Sequence, residues 1–198
     1  MSTDSKDSRP PAQVEIGDEQ DLKKKLQPLA PQPLADVVKM ELLADKDRVE
    51  LETIWTAYHE EKKSAVGTTL RAEEWETLSH RLEQNPMFVF PVKKGDGAFF
   101  VLLAEWKENT LLMTFLEDYQ KNPALADPYF YLKAYPDFAE DRDLVLLRGE
   151  FLPYLTKSEA NDLLDSALDF YLEPSKFEHV QTFNHRSHLF DFNKVFGI

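Results

Sequence analysis

The stretch from Phe88 to Glu150 constrains the fold more than any other part of the chain. It carries short apolar runs at Phe88 to Val92, Ala98 to Trp106, Thr110 to Thr114, Pro128 to Tyr135 and Leu144 to Glu150. Runs of this length bounded by turn residues read as strands, and the first two flank a Lys-Lys-Gly-Asp-Gly turn that makes them a hairpin. Parallel neighbours need a crossover of a dozen or more residues, longer than most of these connections. The expectation is a mostly antiparallel sheet of about five strands. Pro91 has no amide proton to donate, which puts its strand at an edge or a bulge.

Helical patterns lie on either side. Pro33 fits the first position of a helix running to Leu43, with Leu34, Val37 and Val38 on one side. Asp47 reads as the N-cap of a second helix, whose stripe is Leu51, Ile54, Trp55 and Tyr58. A third helix carries Trp75, Leu78 and Leu82, has Glu73 and Glu74 where the helix dipole favours acid, and stops at Asn85-Pro86. Short helices are expected near Phe115 to Lys121 and near Phe138. After the strands, Thr156 and Glu159 form a capping box ahead of Ala160, Leu163, Leu164, Ala167, Leu168 and Tyr171 on one face. Ser175 and Glu178 repeat that signature, and Phe183, Phe190, Phe192 and Phe196 supply an apolar closure. The fold class is α+β: one domain over residues 33–198, with N-terminal and C-terminal helices flanking the sheet. Residues 1–32 carry Pro10, Pro11, Pro28, Pro31 and the Lys23-Lys24-Lys25 run with few large apolar groups. They are expected to form a flexible tail, with a short helix near Asp18 to Leu26.

Several functions are disfavoured. A net charge of -13 repels nucleic-acid backbones and anionic membranes and reads first as a solvated acidic surface. No cysteine is present, which removes disulfides, thiolate metal sites and thiol nucleophiles. No run approaches the ~18 apolar residues of a membrane-spanning helix. Met1 to Arg9 has neither an apolar signal core nor an Arg-rich amphipathic pattern, and Asp4 and Asp7 are wrong for a transit peptide. The glycine pair Gly95 and Gly97 sits in a hairpin turn, without a phosphate-loop pattern around it. His185 and His188, near His179 and Asp191, are the one suggestive metal-like cluster, and it has no closing ligand. A small acid–His hydrolase built on His179, His185 and Asp191 is the enzymatic alternative. His59 and His80 lie among charged neighbours and read as surface residues. The pairs Glu60-Glu61 and Glu73-Glu74 are adjacent, so they do not converge on a substrate. The chain is therefore expected to be no enzyme and to need no cofactor or metal.

What remains is surface for another protein. Along Pro128 to Tyr135 the residues Phe130, Leu132 and Ala134 alternate with Tyr129, Tyr131, Lys133 and Tyr135. The first set fits a core. The second offers tyrosine rings of the kind enriched at binding hot spots, with Arg148 adding a cation. Phe99 to Leu103 is apolar on both faces, so it is either buried on both or keeps one side, with Phe100, for a partner. Tyr129, Tyr131, Tyr135, Arg148 and Phe100 are accordingly the expected partner-binding residues.

The ordered blocks Ile54 to His59, Asn85 to Pro91, Leu144 to Glu150, Leu155 to Ala160, Phe170-Tyr171, Phe183-Asn184 and Phe190-Asp191 resemble the ATP synthase mitochondrial assembly factor 1 family over roughly residues 34–196. The resemblance implies a mitochondrial matrix chaperone, monomeric when free. Its partner would be the free β subunit of the ATP synthase catalytic sector, kept from aggregating until the α/β hexamer forms. It implies no catalytic residue and no cofactor. A structural or regulatory subunit of another assembly is the non-enzymatic alternative.

Overall fold

The structure, a computed structural model, describes residues 31–198, so most of the expected tail, including the Asp18 to Leu26 helix, lies outside the described residues. Among the described residues, six strands form one antiparallel sheet in the order β1-β6-β5-β4-β3-β2. They are β1 (Ala65–Leu70), β2 (Met87–Lys93), β3 (Phe99–Lys107), β4 (Thr110–Phe115), β5 (Pro128–Phe138) and β6 (Leu144–Phe151). The fold class is the expected α+β, with six strands where about five were expected. The additional one is β1, an edge strand that pairs with β6 from Ala65 opposite Glu150 to Leu70 opposite Val145.

β2, with Pro91, is the other edge. Pro86 O accepts from Trp106 N and Lys94 N donates to Ala98 O, so the even-numbered residues of this strand bond to β3. Odd-numbered residues, Pro91 among them, turn their backbone outward, where a missing N–H costs the ladder nothing. At Met87 the side-chain amide of Asn184 closes the edge, its Nδ2 donating to Met87 O and its Oδ1 accepting from Met87 N. The β3–β4 turn is Glu108-Asn109, both at positive φ (51° and 58°), the twist a two-residue hairpin requires.

One face of the sheet packs on three helices: α3 (Ala72–Gln84), α6 (Lys157–Leu172) and α7 (Pro174–His185). Thr156 caps α6 through the expected reciprocal pair with Glu159. Asp143, itself left-handed, ends a short turn α5 (Ala139–Arg142) and accepts from Ala72 N at 3.0 Å and from Arg71 Nη1 at 2.8 Å at the start of α3. Pro174 occupies the first turn of α7, whose N-cap is Glu173, so Ser175 does not act as a cap. The aromatic closure is real: Phe88 is fully buried, with the rings of Phe90, Phe170, Phe183, Phe190 and Phe196 between 5.1 and 6.1 Å away.

The opposite face is covered at its β1–β6–β5 end by α2 (Arg48–Glu60), with Leu51 and Trp55 buried against Tyr135, Leu144 and Leu146. Asp47 and Glu50 cap this helix reciprocally. The segment before it breaks sooner than its periodicity suggests. α1 spans only Leu34–Val37, Pro33 is its N-cap, and Val38 is extended before a single 3-10 turn at Met40–Leu42. Remaining short helices are α4 (Leu116–Lys121) and α8 (Phe192–Phe196).

Candidate functional site

The five side chains expected to meet a partner all lie in the interior. Tyr129, Tyr131, Tyr135, Phe100 and Arg148 are between 0% and 9% exposed, so none offers open contact area in this conformation. Strict alternation along β5 fails at its start. A register shift against β4 between Met113 and Thr114 leaves Tyr129 as an extra residue between the pairs Thr114–Pro128 and Met113–Phe130. The bulge sends its ring to the helix-covered side, stacked 4.3 Å from Tyr154 and 5.9 Å from Phe115, with Phe100 at 6.4 Å. Tyr129 and Phe100 thus belong to the main core. Tyr131, Tyr135 and Arg148 do share the other face, as expected, but that face is covered there. Tyr135 meets the Trp55 ring edge-on at 6.2 Å and donates its hydroxyl to Gln32 O at 2.9 Å. Burial pushes the Tyr135 phenol up to about 12. Burial, with Glu150 opposite it in the ladder, holds Tyr131 protonated well above the ordinary tyrosine range.

Arg148 organises a polar knot under α2. Its Nε donates to Glu150 Oε1 at 2.7 Å, and its Nη1 lies 3.0 Å from His59 Nε2. His59 Nδ1 sits 2.8 Å from Trp55 O. A guanidinium can only donate, so Nε2 accepts and Nδ1 carries the proton to the carbonyl, which assigns a neutral imidazole with a fixed tautomer. His59 is 2% exposed, not on the surface as its charged neighbours suggested. Burial, then the nearby Arg148, Lys157 and Lys62 charges, lower its pKa to about 4 against the opposing Trp55 carbonyl. Gly67 of β1 makes room for this ring: a Cβ there would stand 2.5 Å from His59 Nδ1. Lys157, the first residue of α6, donates to the carbonyls of His59, Glu60 and Lys62 at 2.7 Å each and so closes the C-terminal end of α2, where a cation is favoured. The sequence held one clue to this knot: Leu51, Trp55 and His59 recur every fourth residue and therefore share a face.

Two of the residues considered for metal or acid–base work, His185 and Asp191, have other partners. His185 Nε2 lies 2.9 Å from Asn85 Oδ1, and Asp191 caps α8 through Lys194 N at 3.1 Å. Among the described residues, no group of three or more His, Asp or Glu is placed to hold a metal ion. No described helix is long and apolar enough to cross a membrane. The apolar side chains that do reach solvent include Leu42, Val49 and Ile54, on α2 and the turn before it, and Phe99 on β3.

A family model described as ATP11 protein matches residues 1–196. The chain belongs to the ATP11 protein family. It is also similar to proteins named ATP synthase mitochondrial F1 complex assembly factor 1. That of Danio rerio is 26% identical over 157 residues, covering 77% of this chain and 51% of the relative. That of Mus musculus is 28% identical over 166 residues, or 82% and 50%. That of Homo sapiens is 26% identical over 166 residues, again 82% and 50%. The chain spans about half the length of these curated relatives. The ATP11 match takes in all six strands of the sheet and the polar knot beneath α2.

Proposed function

We propose that this protein is an assembly chaperone for the F1 sector of ATP synthase in the mitochondrial matrix. It acts as a monomer on the free β subunit, prevents that subunit from aggregating before the α/β hexamer forms, and catalyses no reaction. The observation that carries this reading is the family match along residues 1–196, joined to curated relatives named as F1 assembly factors. The physical logic agrees. An unassembled subunit exposes an interface of obligate size, an aggregation hazard that a second protein can cover and then yield by competition.

We infer the contact surface from exposure. Leu42, Val49 and Ile54 present apolar area outward from α2 and its approach, above the layer that holds Tyr135 and Arg148. Tyr135 and Arg148 would touch the client only if α2 withdrew, and Tyr129 and Phe100 only if the other helical layer opened. The test is renaturation of purified β subunit followed by light scattering, with pull-down. Wild-type protein should suppress scattering, and Val49→Asp/Ile54→Asp should lose most of that effect while remaining folded. Absence of binding and of suppression by the wild type refutes the reading. A stable complex of fixed stoichiometry that α cannot displace would point instead to a permanent structural subunit.

A further inference from the structure

We propose that the groove between β2 and α6 binds an extended segment of a partner protein bearing Lys or Arg side chains. The groove encloses about 430 Å³. One wall is the sheet edge from Phe90 to Lys93, the floor is Leu163, Phe170 and Phe196, and the far wall is the acidic side of α6.

Its chemistry is unbalanced toward acceptors, with the carboxylates of Glu159, Asp162, Asp165 and Asp169 set against the single ammonium of Lys93. The outward-facing backbone of β2 can offer Pro91 O but no donor at that position, because proline has no N–H. Across the groove stand Glu159, Asp162, Asp165 and Asp169. Two of these carboxylates are already held: Glu159 by Lys94 and the Thr156 amide, and Asp169 by Lys176 at 2.7 Å. Among the described residues, Asp162 and Asp165 form no ion pair, and both are exposed. Burial raises the Asp165 carboxyl, and Asp162 and Asp169 add like-charge repulsion, a cost that an arriving cation relieves.

A segment that fits must bring donors for these carboxylates and apolar stems for the floor. Lysine and arginine supply both, with the aliphatic part on Leu163 and Phe170 and the charged head at the rim. The protein already shows such a contact, since Lys176 Nζ lies 5.9 Å from the centre of the Phe170 ring. An acidic segment would be repelled, and a purely apolar one would leave the carboxylates desolvated and unpaired. The Asn184 clasp at Met87 blocks one end of the strand edge, so the occupant lies from Val89 onward toward Lys93.

This inference does not depend on which subunit is the client, and its test needs no F1 component. A fluorescently labelled peptide of alternating Arg and Val is titrated against the full chain by anisotropy, and its position is mapped by amide chemical shifts. Asp162→Asn/Asp165→Asn should weaken binding by about tenfold, as expected for losing charge-assisted contacts at a partly open site. Glu73→Gln/Glu76→Gln removes the same formal charge from the exposed side of α3 and should change binding by less than about twofold, since screening limits distant charges. Shifts should concentrate at Val92, Lys93 and α6, and a Glu–Val peptide should not bind. Equal weakening by the two double variants would reveal general attraction to an acidic protein and overturn the proposal. So would no binding at all, or shifts centred elsewhere.

Discussion

Acidification should dissolve the knot beneath α2 at a pH set by His59. In the folded protein the imidazole is neutral and resists protonation until about pH 4, whereas the same side chain in an unfolded chain titrates near 6.5. Between those values the unfolded state binds more protons, so stability is complete above about pH 7 and falls as the solution is acidified toward pH 4. The gap corresponds to about 3 kcal/mol, a sizeable part of the total for a domain of this size. The groups facing the ring explain why it stays neutral. Arg148 approaches Nε2, Lys157 holds the adjacent helix end, and Lys62 adds a third cation, while Glu150 is engaged by Arg148. Asp165 works in the opposite direction, since its raised pKa makes protonation more favourable in the folded state as pH falls. The His59 contribution must therefore be isolated by difference. Urea unfolding of wild type and His59→Gln across about pH 4 to 8 supplies it, because Gln can still accept from Arg148 but does not titrate. The wild type should lose about 3 kcal/mol more than the variant over that range. Parallel curves, or an imidazole resonance titrating near 6.5 in the folded protein, would refute the assignment.

Four further outcomes follow from packing and capping. Gly67→Ala should destabilise by about 2–4 kcal/mol in thermal or urea unfolding, because its Cβ meets a ring fixed at both nitrogens; in a His59→Ala background the cost should largely vanish. Gly95→Ala, with nothing within 4 Å of the added Cβ, should be neutral within about 0.5 kcal/mol by the same assay. Phe88→Ala should cost about 3–5 kcal/mol, since the ring is fully buried among other aromatics. Thr156→Ala should cost about 1 kcal/mol through loss of the acceptor for Glu159 N, measurable as a lower urea midpoint with an unchanged slope.

Signals that live within a few residues were legible in the chain. The caps at Asp47 and Thr156, the end of α3 at Asn85 and the edge position of Pro91 each depend on local backbone chemistry, and each is found where expected. β1 escaped because Ala-Val-Gly-Thr-Thr-Leu has few large apolar groups; its strand character comes from pairing with β6, a distant partner. The Pro33 helix failed for the converse reason, with a periodic pattern that local geometry interrupts at Val38. The exposure of the expected partner-binding residues was misread through two non-local facts. The bulge in β5 moves Tyr129 to the other face, and α2 folds over Tyr135 and Arg148. Alternation can state which side chains share a side of a strand, but not whether anything will lie on top of it.

The strand order has a consequence for how this chain is made. β2 through β5 pair each with the next in line, so that meander can assemble as it leaves the ribosome or an import channel. β1 has to wait. Its neighbour is the last strand, and its glycine must admit an imidazole that also needs the arginine of that strand. Until residue 151 has emerged, α2 has no completed floor to lie on and Leu51 and Trp55 stay open to solvent. A protein proposed to shelter others thus passes through a stage of its own synthesis in which the first long helix among its described residues is the one in need of shelter.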